Sequence, residues 1–557
     1  MSATADIIIR NAKVLTMEPS NMHAEAVAVS GNKLLAVGSN SEIDALLSGD
    51  TQIFDAEGAT VLPGFVESHL HLFGGSAGLD KLDLSSTMGR TAFSEVVKTY
   101  NAKNPGTDIL FAHGANYTIL DGDAITRHDL DEAVPDRGFF MMAPDAHTAW
   151  ANTKALEAAG LLQGKEINLG SEIVMGADGL ASGELRGVDA FSPVLALSST
   201  GGRENLGYTT AEDPVPPATA EQKADDIEIL TRGLDYCASL GLTSLQNMDG
   251  NFYQLELLDE IEKEHGGLKA RIEVPFHMKN DKPFEKIATD AVVMRERYQS
   301  EKLFCRRVKL FMDGVLDSGT ALVLGGYPDA PDHDGDPLFT AEEFNAIAIE
   351  ADRLGFQIAV HAIGDGAVRR TLDGYRAALE TNGKRDSRHR IEHIEIIDSD
   401  DIPRFAELGV IASMQPLHAL GTGGFPLEPT RTKIGEAKLP NAYAWQTLKD
   451  AGAKLCFATD WPVSPLDPLL SIKAAMTREK LHPSYPDQSQ SLLDTLAAYT
   501  TDGAYAEHAE DKKGKLKPGM LADVVMLSGN IESTAPEEID QLSVSLTICD
   551  GVITHMA

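Results

Sequence analysis

The chain has 557 residues, of which 43% are hydrophobic and 24% charged, an ordinary balance for a folded protein and too long for one small core. With 84 acidic against 48 basic residues its formal net charge is −36, which argues against a nucleic acid or an anionic membrane as partner. Cys237, Cys305, Cys456 and Cys549 are far apart with no CxxC, no run reaches the roughly 18 apolar residues of a membrane span, and residues 1–16 show no basic leader before a long apolar stretch, so a cytoplasmic protein with reduced thiols is expected.

In chain order, residues 6–10, 12–16, 26–29 and 34–37 read as short strands, the last pair joined by the turn Ser30-Gly31-Asn32-Lys33. Residues 522–527, 543–549 and 552–554 do the same at the other end. Strand edges need partners, so residues 1–60 plus 514–557 are expected to form one small β-sandwich domain assembled from both termini.

Between them, residues 61–513 change to short apolar strands alternating with helical stretches. After the run that ends at His71, strands are predicted at 242–247, 271–276, 307–312, 356–361, 390–394, 410–414 and 454–459, eight in all. Before the second, Ile227, Leu230, Leu234 and Cys237 recur at helical spacing and Gly241 follows as a stop. Eight βα repeats predict an α/β fold of the TIM-like (β/α)8 barrel type. The interval after the first strand is far too long for a βα loop; residues 72–222 are expected to be an inserted subdomain, helical around 152–159, overhanging the mouth and returning through the Pro-rich stretch 211–220.

The strand ends carry the chemistry. His69 and His71 stand two apart on a strand, so both rings face one side and can reach one metal ion; sixteen histidines give only about 0.4 such pairs by chance. Lys309 points inward on its strand, where an ammonium is costly; an ion pair with Asp313 or a neighbour and a carbamate formed with carbon dioxide compete as explanations. His361 and His393 close the next two strands, and Asp460 follows the eighth, just before Pro462. Singly each reads as a core histidine or a turn former; in strand order, together, they read as a metal site.

These residues lie in segments that resemble the amidohydrolase superfamily, within it amidohydrolase family 3, the branch of N-substituted formamide deformylase-like metal-dependent hydrolases. The resemblance runs nearly end to end, through 61–71, 145–156, 308–314, 360–365, 390–393, 459–463 and 517–525. It implies His69 and His71 on a more buried metal, His361 and His393 on another, Lys309 bridging as a carboxylated lysine, and Asp460 as ligand and general base. Two divalent ions per chain are expected, zinc by type, since two His pairs exceed the needs of one tetrahedral ion with an open position. Within 313–321, Asp317 and Gly319 stand where the family commonly has glycine and arginine, and Gly114-Ala115-Asn116-Tyr117 departs from an expected Gly-Trp-Asp.

The function these readings imply is hydrolysis of a C–N bond in an amide, N-acyl or N-formyl small molecule by metal-activated water. Asp460 would move the proton, and His147, Asp313 and Gln415 would touch the substrate, with a structural hydrogen bond as the alternative for His147 and Gln415. Deamination or ester and lactone hydrolysis at the same site, and a metal-free scaffold of the same fold, are the rivals. A homodimer or higher homo-oligomer is expected.

Overall fold

A computed structural model describes residues 4–106, 109–144, 147–167, 171–422, 425 and 427–557. The fold is mixed α/β. Strands from the two chain ends share a six-stranded sheet in the order Val552–Met556, Val544–Cys549, Val524–Leu527, Thr60–Pro63, Lys13–Leu15, His23–Ala24. A four-stranded sheet built from Lys33–Gly38, Ala26–Ser30, Ile7–Arg10 and Gln52–Asp55 meets it across one buried cluster that includes Ile9, Val27, Val29, Val14, Val61 and Leu546.

Parallel strands fill the middle of the chain. Phe65–Leu70, Leu242–Asn247, Arg271–Glu273 and Leu303–Phe304 form one sheet; Phe276–His277, Arg307–Phe311, Gln357–Ala362, Arg390–His393, Ile411–Met414 and Lys454–Phe457 form the other. Phe65–Leu70, Leu242–Asn247 and Gln357–Ala362 are buried along their whole length, as parallel strands covered on both faces must be. One continuous eight-stranded ring was expected; two sheets are found. The run 271–276 is broken because Pro275 has no N–H to give to a ladder. At the other seam an isolated parallel bridge pairs Leu70 with Trp461. Asp460 N–H donates to His69 O at 2.8 Å and His71 N–H to Trp461 O at 2.7 Å.

The helices outside the strands are locally encoded. Ala220–Ser239 starts at a capping box in which Thr219 and Gln222 satisfy each other's backbone, and it buries Ile227, Leu230, Leu234 and Cys237. Gly241, at φ +80°, ends it.

Residues 82–186 carry a further six-stranded mixed sheet, in the order Glu172–Met175, Ala181–Arg186, Thr148–Ala151, Phe139–Met142, Leu110–His113, Leu82–Asp83. The helix read around 152–159 is present as Thr153–Ala158, capped by the Asn152 side chain; the sheet beside it was not read. Among the described residues no helix is long and apolar enough to cross a membrane.

Candidate metal centre

Strand ends bring the predicted residues together. His69 sits in the strand Phe65–Leu70 and His71 just beyond it. His393 closes Arg390–His393 and Asp460 lies three residues past Lys454–Phe457. His393 and Asp460 both hold positive φ, 74° and 59°, a strained setting for residues with a Cβ that clusters at functional sites. Asp460 Oδ1 is 3.2 Å from His69 Nε2 and 3.3 Å from His71 Nε2. One ligand atom each from His69, His393 and Asp460 falls within 4.8 Å of the others, and the His393 ring centroid is 4.5 Å from that of His361.

The far nitrogen of each ring is already committed. His69 Nδ1 donates to Glu392 at 2.8 Å, His71 Nδ1 to Asp249 at 3.2 Å and His393 Nδ1 to Gln415 Oε1 at 2.9 Å. Glu392 is gripped in turn by Arg390, whose Nε and Nη2 reach it at 2.5 and 2.9 Å. Burial alone would raise Glu392, but the Arg390 charge and the His69 contact hold it well below the usual carboxylate range. Burial favours a neutral His71, yet the carboxylates of Asp249 and Asp460 raise it to about 9.

The fit to a metal follows from this wiring. With Nδ1–H given away, the Nε2 atoms of His69 and His71 turn lone pairs toward the Asp460 carboxylate, and Asp460 Oδ1 receives no directed hydrogen bond. Two acceptors facing an anion call for a positive charge between them, which a proton or a cation can provide. Imidazole nitrogens fixed by acceptors behind them, together with a carboxylate, are the donor set zinc takes.

Lys309 is fully buried, and among the described residues its Nζ has no hydrogen-bond partner, only the Phe311 ring with its centroid 4.6 Å away. Burial, opposed by Glu392 and Asp460, brings it down to about 8. The ion pair with Asp313 weighed from the sequence is not formed. Asp313 instead accepts the backbone N–H groups of Leu322, Ile363 and Gly364 at 2.9, 3.1 and 2.9 Å. That also corrects its assignment to substrate: it is fully buried behind the cavity wall, ordering the loops on either side of His361. His361 Nε2 faces Gly314 O at 3.1 Å, which leaves Nδ1 with the lone pair. Gln415 is likewise no part of the cavity wall; it orients His393. His147 does line the cavity, its ring centroid 5.8 Å from that of His361. Residues 145 and 146 of its motif lie outside the described residues.

One cavity opens onto His71, His361, His393 and Asp460, and its roof is apolar, with Phe111, Phe140, Met142, Phe191 and Leu195 supplied from the segment between the first and second parallel strands. Tyr208 from the same segment stands edge-on to the His71 and Phe311 rings, at 5.3 and 5.6 Å. Sequence reasoning missed Asp249, Glu392 and Tyr208 as site residues. Asp249 lies two positions past a strand end, and Glu392 pairs with Arg390 at i−2 in the buried strand Arg390–His393, both readable signals. Tyr208 gives none.

Comparison with known proteins agrees with this geometry. The model of the amidohydrolase family matches residues 52–555. The chain is 30% identical to Protein LONG AFTER FAR-RED 3 of Arabidopsis thaliana, covering 94% of this chain and 88% of that protein. It is 25% identical to the N-substituted formamide deformylase of Arthrobacter pascens, covering 100% and 99%. The crystal structure of an uncharacterized metal-dependent hydrolase from Pyrococcus horikoshii superposes with a TM-score of 0.71 at 25% identity, covering 99% of this chain and 100% of that one.

Proposed function

The chain belongs to the amidohydrolase family, and from that footing we propose that it is a metal-dependent hydrolase cleaving a C–N bond in an amide, N-acyl or N-formyl compound. The observation that carries this reading is the convergence of imidazoles on Asp460 with their outer nitrogens already spent. In this reading the two parallel sheets are arcs of one (β/α)8 barrel. Residues 1–60 plus 514–557 are its composite small domain, and 72–222 the insertion that roofs the site.

His69 and His71 would hold one divalent ion and His361 and His393 a second, zinc in both places. Bound there, the metal supplies a Lewis acid that polarises a carbonyl and lowers the pKa of water from about 15.7 to about 7. Lys309, lowered to about 8, has an appreciable neutral amine fraction at physiological pH, able to add carbon dioxide. The carbamate would turn an unpartnered buried cation into an anionic ligand. Asp460 takes a proton from water and delivers it to the leaving nitrogen. The imidazoles of His69, His71 and His393 around it keep it ionised, well below the usual carboxylate range against the pull of burial. His147 and the apolar roof hold the rest of the substrate.

Two measurements test the reading. Protein purified without chelators should carry two divalent ions per chain. A product-resolved screen of formamides, N-acyl amino acids and cyclic amides should yield an amine plus an acid; ammonia alone would mark a deaminase, and an alcohol plus an acid an esterase. A metal-free protein inert to all of them would sink the proposal.

A further inference from the structure

The chain returning from the roof is fastened to the parallel strands right beside the metal centre. A 3-10 turn, Arg203–Asn205, runs into the short helix Leu206–Thr209. Arg203 Nε and Nη2 donate to the two oxygens of Asp226 at 2.7 and 2.9 Å, and Asp226, fully buried on the helix Ala220–Ser239, also accepts the Tyr253 hydroxyl. A two-pronged pair of this kind fixes orientation as well as distance. Four residues on, His277 Nδ1 meets Gly207 O at 2.8 Å. A carbonyl oxygen only accepts, so Nδ1 carries the proton of this buried ring.

The fastened segment rests on the support of His71. A methyl group at Gly207 would lie 2.5 Å from Gln254 Nε2, 2.7 Å from Asp249 Oδ2 and 3.0 Å from Gly250 N, the first two closer than a Cβ can approach. Asp249 accepts from His71 Nδ1 at 3.2 Å, and Gln254 Nε2 donates to the other Asp249 oxygen at 2.7 Å. Gly207 therefore packs directly on the two side chains that aim His71. The next residue, Tyr208, stands edge-on to the His71 ring at 5.3 Å. Asp249 and Gln254 are both buried, so a push from position 207 passes to the imidazole.

We propose that Gly207 and His277 are positioning residues for His71, and that docking of the segment 203–209 and metal binding at His69 and His71 are one coupled event. This rests on the hydrolase reading for the ion at His71 and goes beyond it in making the attachment of the roof a part of the metal site. Coupling of two equilibria is reciprocal. Whatever the docked segment adds to metal affinity, the bound metal returns as tighter docking.

The test joins zinc affinity, read by competition with a chromophoric chelator, to amide hydrogen exchange of the full chain. Position 207 is helical, where alanine is the better residue, so a loss in Gly207→Ala reports the push on Asp249 and Gln254 and not a damaged turn. Affinity for one of the two zinc ions should fall about 10-fold or more, the scale for disturbing an orienting partner of a metal-binding histidine. His277→Leu drops the hydrogen bond to Gly207 O and should cost about 3- to 10-fold. His277→Asn, whose amide nitrogen stands as many bonds from Cβ as Nδ1 does, should restore most of that; mere loss of ring packing would leave the two variants alike. In the unmodified protein, stripping zinc should speed exchange in 203–209 about 10-fold more than in the strand Ile7–Arg10, a check that does not depend on the variants folding. Unchanged zinc affinity in both Gly207→Ala and His277→Leu, or exchange in 203–209 indifferent to zinc, would overturn the proposal and leave the hydrolase reading standing. Equal losses in His277→Leu and His277→Asn would overturn the role of His277. An unmodified protein that takes up no divalent ion would strike the hydrolase reading and the coupling together.

Discussion

The floor of the cavity and its roof are built on opposite principles. At the floor the histidine ligands are fixed from behind: His69 by Glu392, Glu392 by Arg390, and Arg390 by Ser68 O at 2.7 Å and Ser413 Oγ at 2.6 Å, with all of these side chains nearly inaccessible to solvent. His71 leans on Asp249, which Gln254 Nε2 holds at 2.7 Å. The phenylalanines of the roof have no group that could join such a chain of hydrogen bonds. The roof presents Phe111 and Phe140 from a separate sheet and Phe191 from the helix Val188–Leu195, packed into a core of their own with Leu156, Leu185 and Val194. Hydrogen bonds fix direction, which chemistry needs; apolar contact fixes shape and is tolerant of small shifts. Substitutions at the floor should therefore disturb metal binding and kcat, and those at the roof KM.

The largest effect is expected from Asp460→Asn. Asparagine keeps the size and one ligating oxygen but cannot accept a proton, so kcat should fall about 100-fold or more with metal content and KM little changed. Turnover within a few-fold of the parent, with metal verified, would pass the proton to another group and remove Asp460 from the centre of the floor.

Next come the residues behind the ligands. Asp249→Asn and Glu392→Gln should each cost about 10- to 100-fold in metal affinity, the usual scale for an orienting partner of a metal-binding histidine. Competition with a chromophoric chelator reads this without a substrate. Lys309→Ala should lose metal on a similar scale, and short carboxylic acids should restore part of it by standing in for the carbamate. Unchanged metal content in Lys309→Ala would leave that lysine a buried amine with no part in the site.

These two layers differ in how far they could be read from the chain. Strand positions were legible because a buried parallel strand is a local apolar run: 242–247 coincides with Leu242–Asn247, and 307–312 overshoots Arg307–Phe311 by one residue. The break at Pro275 was legible in principle, since the missing N–H is a property of one residue. The His-x-His pair and the strand-end Lys309, His361, His393 and Asp460 stood out for the same local reason. Asp313 and Gln415, read as substrate contacts with a structural hydrogen bond open for Gln415, lie outside the cavity lining, because the direction of a side chain past a strand end depends on the turn that follows. Positive φ at His393 and Ile394 breaks the alternation there, and nothing in the residue types announces it. The roof was the least legible. Its strands are as short as Leu82–Asp83 and Phe139–Met142, too short to show a period, and their pairing is long-range and mixed. The departure at Asp317, by contrast, fell on a residue that lines the cavity.

A pH experiment sharpens the floor further. His71, raised to about 9 by Asp249 and Asp460 against burial, carries a proton at neutral pH before a metal arrives. The metal must displace that proton, so metal binding should release it to buffer. Apparent affinity should rise about tenfold per pH unit from about 7 and level off near pH 9, where His71 is already neutral. The proton shows in calorimetry as an enthalpy that changes with the buffer's own ionisation heat. No buffer dependence would mean that His71 is neutral without metal, and that the metal binds without displacing a proton from it.

The smallest effect should come from the roof. Phe111 is 9% exposed, lines the cavity and packs 5.5 Å from Phe140. Phe111→Leu keeps an apolar side chain of adequate size, so the sheet should fold and the metal content should stay the same. What is lost is part of a flat surface that contacts substrate and transition state alike. Removing such uniform binding raises KM and leaves kcat in place, here by about 3- to 10-fold for the lost apolar area. Since Phe111 also lies under Lys81, the same substitution should loosen that lysine and make the cavity's response to salt steeper. A fall in kcat at constant KM would show that the roof acts in the transition state, and the division of labour between a hydrogen-bonded floor and an apolar roof would no longer hold.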